Sequence, residues 1–290
     1  RYWGKNYYFV MAAVISSFCD PPDWRIVWRD EFEKPTLDTT KWNVLHGVGG
    51  IDNADCHGSG CDLLGGCRDA ACTKDAVSIH GGRLVLTSQR RSALGRNFTT
   101  GAVTTRDKGT WSAKKDGSPF RMCISAVLPG VVGHAAGVWP AHWLMPNTDA
   151  CDPDQGEMDI TEMVDGDGKL YSTYHWQDAG APACAFPKNH SHVYSNSTLA
   201  PGWNTTLHEF AVERGSTHIA FALDGKVVLN TSRTNPPVRQ PVFTDVPWYL
   251  IMNSAIGGGW PGPPTIDTVF PIRHEIDYVR VARPRAARGT

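Results

Sequence analysis

Apolar and polar residues alternate in short runs along most of this chain, and no segment sustains a helical period beyond two turns. Arg83 to Thr87 forms one such run, introduced by the turn pair Gly81-Gly82. His208 to Leu229 reads as a meander. Its strands cover Phe210 to Glu213, His218 to Leu223 and Lys226 to Leu229, with Gly215-Ser216 and Asp224-Gly225 at the turns. Asp-Gly between two alternating runs is a strong hairpin signal, because a type I′ turn needs positive φ at both central residues. A last strand spans His274 to Val281, ahead of a basic, proline-containing tail from about residue 284. These runs predict an all-β fold: a sandwich of two curved antiparallel sheets, one of which carries an open cleft.

One strand stands apart. Glu157-Met158-Asp159-Ile160-Thr161-Glu162 carries three acids in six residues. Strand side chains alternate faces, so Glu157 and Asp159 share one face while Met158 and Ile160 point into the core. Glu162 has the opposite parity, and one extra residue, a β-bulge between Asp159 and Glu162, returns it to the acidic face. Aligned carboxylates suit glycoside hydrolysis, which needs one ionised acid to attack the anomeric carbon and one protonated acid to assist the leaving group. Crowding raises one pKa and so separates the two roles. The rival reading of the three acids is a solvated edge strand. Apolar alternate residues within the strand argue against it.

The chain has 290 residues, 41% of them hydrophobic, and is expected to form one domain from residue 20 to 290. A formal net charge of −1 gives no field favouring nucleic acid or an anionic membrane. Residues 1–19 read as a secretory signal: Arg1 and Lys5 precede an apolar run from Tyr7 to Ile15, too short for a spanning anchor of about 20 residues. Eight cysteines agree with an oxidising compartment. Cys56, Cys61, Cys67 and Cys72 lack the CxxC spacing of a zinc ribbon, so disulfides are expected there despite nearby His57, and Cys151 and Cys184 are expected to pair. If Cys19 left with the signal, an odd cysteine would remain. Sequons at Asn97, Asn189, Asn196, Asn204 and Asn230 add to the expectation of a secreted, extracellular glycoprotein, with a monomer the default.

Eleven tryptophans exceed the needs of such a core, and an aromatic groove suits sugar rings. Trp139 and Trp143 share a face by parity, Tyr174-His175-Trp176 follows, and Trp260 sits in a Gly/Pro loop. Trp139, Trp143, His175, Trp176 and Trp260 are the candidate sugar contacts. Several motifs resemble glycoside hydrolase family 16 in its bulged, laminarinase-like form. They are the acid strand, Trp28-Arg29-Asp30-Glu31-Phe32, Trp139-Pro140-Ala141-His142-Trp143, Met252 to Gly262, and Asp277 to Val281. The resemblance covers about residues 24–283. It implies a β-jelly roll and retaining endo-hydrolysis of β-1,3-glucan or β-1,3(1,4)-glucan without a catalytic cofactor. It makes Glu157 the nucleophile, Glu162 the acid/base and Asp159 the assisting acid. It also implies a structural calcium, for which Glu31, the Gly82 carbonyl and Asp277 stand at the expected places. Asn53 matches the first residue of a donor-side segment that a cysteine-rich loop otherwise replaces. Two other functions fit the same scaffold: a non-catalytic β-glucan recognition protein, or a hydrolase or transglycosylase of another polysaccharide such as a galactan.

Overall fold

The computed structural model describes residues 17–48, 67–113, 118–184, 188–232 and 243–285. Seventeen strands occur in these residues. The first seven are β1 (Trp24–Asp30), β2 (Asn43–Val44), β3 (Ala70–Cys72), β4 (Val77–His80), β5 (Arg83–Ser88), β6 (Phe98–Thr100) and β7 (Ala102–Thr104). The middle five are β8 (Phe120–Val127), β9 (Val138–Pro146), β10 (Glu157–Glu162), β11 (Lys169–Gln177) and β12 (His190–Thr198). The last five are β13 (His208–Arg214), β14 (His218–Leu223), β15 (Lys226–Ser232), β16 (Trp248–Ile256) and β17 (Ile272–Pro284).

They form a sandwich. One sheet runs β15-β14-β13-β8-β17-β5-β4 with β1 added on β17, and the other runs β12-β11-β10-β9-β16-β7-β2; every pairing within the two is antiparallel. The expected meander is β13-β14-β15. Its Asp224-Gly225 turn has φ of 49° and 76°, the two positive values a type I′ turn demands. The last strand runs three residues further than its alternation indicated, to Pro284, and Arg285 N–H still bonds Asp23 O.

Phe120, Met122, Ile124, Phe210 and Phe221 of one sheet meet Leu144, Met158, Ile160, Trp248 and Leu250 of the other in one core. Burying a large apolar side chain of this kind contributes about 1.5–3 kcal/mol. Met158 and Ile160 lie inside, as parity requires, so the acids of β10 stand on the outer face of the seven-stranded sheet. Strand β10 is third from the edge, clamped by β9 and β11.

Residues 1–16, Asn53, Cys56, His57 and Cys61 lie outside the described residues. The expected end of the signal segment at residue 19 needs correction. Cys19 is disulfide-bonded to Cys123, Ser17 Oγ donates to Glu209 Oε2 at 2.6 Å, and the Arg121 guanidinium stacks on Phe18. Residues 17–19 therefore belong to the folded domain. Cys67–Cys72 and Cys151–Cys184 are also joined, the second as expected.

Candidate active site

The β10 register shifts between Asp159 and Glu162 against β11, and between Asp159 and Thr161 against β9. This is the bulge the parity argument requires. Glu157, Asp159 and Glu162 pair with His175, Thr173 and Tyr171, three alternate residues of β11. Directly paired residues share a face, so all six side chains project from one side of the sheet. They border a cavity of about 370 Å³, which Trp139 and Trp260 also line.

Each acid has its own surroundings. Trp139 Nε1–H donates to Glu162 Oε1 at 2.9 Å. Burial and the Asp159 charge raise the Glu162 carboxyl to about 8, against the opposing pull of His175, Trp139 and Arg68. His175 Nε2 meets Asp159 Oδ2 at 3.1 Å. Burial works against the His175 cation, yet neighbouring Asp159, with Glu162, raises its pKa overall. Glu157 is raised well above the carboxylate range by burial and by the charges of Asp152 and Asp159, and it is hydrogen-bonded to Asp152.

Local sequence explains the placement. Gly156, immediately before Glu157, has φ of 98°, and a Cβ there would lie 2.8 Å from Tyr174 Oη. Asp152 lies on the loop before β10. That loop is tied down by the Cys151–Cys184 disulfide and by Cys184 N–H donating to Asp154 Oδ2 at 2.9 Å.

The aromatic expectations divide. Trp139 and Trp260 meet edge to face at 5.4 Å, Trp260 meets Tyr171 at 5.0 Å, and Arg68 stacks over Trp139 at 4.9 Å. Trp143 is on the same face but away from the cavity, donating Nε1–H to Asn253 Oδ1 at 2.8 Å and packing on Met145, Tyr249 and Ile251. Trp176 is a correction: it is 1% exposed and stacks on Tyr174 in the core. Its neighbour His175 faces the cavity, so alternation sends Trp176 inward. Residues the sequence reading missed are Arg68, Asp152, Tyr171, Thr173, His192 and Tyr194. Tyr171 and Thr173 had a signal, since they share parity with His175. Arg68 and Asp152 are brought in by loops and had none.

The calcium set does not fit. Both Glu31 oxygens accept from Arg280, at 2.9 and 2.8 Å, and Asp277 is 3.6 Å from Arg83. Gly82 sits in the β4–β5 turn. Calcium takes six to eight oxygen ligands, and two guanidinium cations on the proposed donors oppose it.

A jelly-roll sandwich with three acids along one face of a bulged inner strand, beside a tryptophan-lined cavity, has the parts of a two-carboxylate glycoside hydrolase. Comparison specifies more. Residues 119–280 match the profile of glycosyl hydrolases family 16. The chain is 31% identical to a beta-glucanase of Rhodothermus marinus over 278 residues, 90% of this chain and 86% of that protein. It is 25% identical to a keratan-sulfate endo-1,4-beta-galactosidase of Sphingobacterium multivorum, covering 89% of this chain and 55% of that one. The laminarinase catalytic domain of Thermotoga petrophila superimposes with a TM-score of 0.73 at 27% identity, covering 91% of this chain and 99% of that domain. The chain belongs to glycosyl hydrolases family 16.

Proposed function

We propose that this protein is a retaining endo-hydrolase of β-1,3-glucan, accepting laminarin-type and mixed β-1,3(1,4)-linked polymers. The observation that carries the reading is the bulge, which sets Glu157, Asp159 and Glu162 on one face above one cavity. In the first step the Glu157 carboxylate attacks the anomeric carbon. The Glu162 carboxyl gives its proton to the glycosidic oxygen, which leaves with the reducing-end fragment. In the second step Glu162, now ionised, takes a proton from water. That oxygen bonds to the anomeric carbon and releases Glu157.

A carboxyl raised to about 8 is protonated at neutral pH, as the first step requires of Glu162. Burial and the charges of Asp152 and Asp159 raise Glu157, so the ionisation that lets it attack sets the acidic limit of the first step. Asp159 holds His175 and supplies the negative charge that keeps Glu162 protonated. Trp139, Tyr171 and Trp260 offer ring faces to a sugar chain. The similarity to a beta-glucanase and a laminarinase supports the same substrate class.

Reducing-end release from laminarin, lichenan and a galactan tests the reading. Activity on laminarin that Glu157→Gln abolishes supports it. A protein that binds laminarin but never cleaves it is a recognition protein, and cleavage confined to the galactan reassigns the substrate. The reading extends to secretion as a glycoprotein, because Asn97, Asn189, Asn196 and Asn230 are exposed and three disulfides are formed among the described residues. Expression through a eukaryotic secretory route, with an N-glycanase mobility shift, checks that part. Among the described residues no helix is long and apolar enough to cross a membrane.

A further inference from the structure

At one end of the cavity three histidines converge with no part in the proton transfers above except through His175. His192 stands directly opposite His175 across β11 and β12, and His190 is one same-face step along β12, opposite Gln177. One ring nitrogen from each lies within 4.8 Å of the others. His175 Nδ1 is 2.9 Å from His190 Nε2, and the His190 and His192 rings lie 5.7 Å apart. Two alternate residues of one strand and a facing residue of the next bring three imidazoles together, their rings stacked or tilted against one another, so binding an ion needs the rings to turn toward it. No helix or loop need move to assemble them.

We propose that His175, His190 and His192 form a binding site for one zinc-class divalent cation, with Asp159 as the carboxylate that orients the first ligand. Imidazole nitrogen suits Zn²⁺, Cu²⁺, Ni²⁺ and Co²⁺, whereas Ca²⁺ and Mg²⁺ prefer oxygen. Three imidazoles with an open fourth position are a known zinc arrangement. A zinc-bound histidine almost always donates its other ring N–H to a carboxylate or carbonyl, fixing the tautomer that leaves the ligating nitrogen bare. His175 has such a carboxylate in reach: Nε2 lies 3.1 Å from Asp159 Oδ2, a buried oxygen without a hydrogen bond among the described residues, while Nδ1 faces His190. At a Zn–N distance of about 2.0–2.1 Å, tetrahedral donors stand roughly 3.3 Å apart, so the closest pair opens by about 0.4 Å. His190 and His192 are on the outermost strand of their sheet, the first half-buried and the second exposed. His192 also lines the cavity. His175 lines it too, so an ion held there would sit at that end of the cleft.

The experiment measures binding rather than turnover, so its outcome is separate from the polysaccharide reading. The untagged full chain is titrated with Zn²⁺ by calorimetry and with Co²⁺ by visible absorption. We expect one Zn²⁺ per chain and the d–d bands of tetrahedral Co²⁺, neither displaced by a tenfold excess of Mg²⁺ or Ca²⁺. His190→Ala and His192→Ala are each expected to weaken Zn²⁺ by about 100-fold or more, and Asp159→Asn by about 10- to 100-fold. His80→Ala, on an exposed residue of β4, should leave the affinity unchanged. Absence of saturable binding to the wild type overturns the proposal, whatever the variants do. So does tight binding that survives both His190→Ala and His192→Ala, since the ion then sits elsewhere.

Discussion

Two side chains tune the catalytic pair from opposite sides, and each gives a pH prediction. Asp152 raises Glu157 by its charge and by its hydrogen bond. Asp152→Asn removes the charge and supplies a fixed N–H donor, so Glu157 ionises at lower pH. The acidic limb of kcat/KM is expected to move down, and an unmoved limb would separate Asp152 from the nucleophile. The Trp139 N–H bond favours ionised Glu162. Trp139→Phe keeps a ring but deletes the donor, so the basic limb should move up. At this scale the sequence was legible wherever alternation applied: three acids, one missing half-step, hence a bulge. It also placed Trp139 on the cleft face correctly. Trp176 shows the cost of reading by residue type, since aromatic clustering put it beside the sugar while its parity with His175 put it in the core. Asp152 and Arg68 reach the site through loops, whose course no local periodicity encodes.

The strand carrying the acids depends on the residue before it. Gly156 sits at a φ of 98°, with Tyr174 Oη 2.8 Å and the Trp248 ring 3.1 Å from where a Cβ would stand. Gly156→Ala meets backbone strain and core contacts together, and is expected to cost about 1–3 kcal/mol. Gly259→Ala, with no atom within 4 Å of the added Cβ, should stay within about 0.5 kcal/mol. Urea denaturation of the two variants checks the contrast, and equal losses would deny Gly156 its special role. Strand β17 was readable because burial of alternate residues imposes a period of two over its first half, and β13 and β14 because the Gly215-Ser216 and Asp224-Gly225 turns bound them, although both faces of these two are covered. Strand β12 was not, although it shapes one side of the cavity. Its His-Ser-His-Val-Tyr-Ser-Asn-Ser-Thr sequence is polar on both faces at a sheet edge, where no core demands alternation.

Across the whole molecule, stability is set by long-range ties and by a few buried titratable groups. The Cys19–Cys123 disulfide spans 104 residues, and a loop of that size is worth up to about 4.7 kcal/mol in the chain-entropy account. The double Cys19→Ser, Cys123→Ser variant is expected to lose about 2–4 kcal/mol in urea, and a loss near zero would contradict that account. The titratable groups act in opposite directions. His142 and His274 are fully buried and stacked, with Nε2 atoms 3.0 Å apart, and burial depresses both, His274 to about 4. Below 6.5 the unfolded chain takes up protons that the native pair refuses, so stability is lost as pH falls from 6.5 toward 4. Glu162 runs the other way. Its carboxyl rises from 4.5 to about 8 on folding, so the native state keeps a proton the unfolded chain releases, and stability falls as pH rises from 4.5 to about 8. Glu162→Gln is nearly isosteric and can still accept from Trp139, so it removes the second slope and leaves the first. Denaturation midpoints of wild type and variant should therefore nearly coincide at pH 4.5 and diverge steadily to pH 8, with the variant more stable. Below pH 4.5 both should weaken in parallel, because the histidine pair is untouched. A gap that stays constant with pH would mean that Glu162 carries no folding-linked proton, and the general-acid role would lose its electrostatic basis.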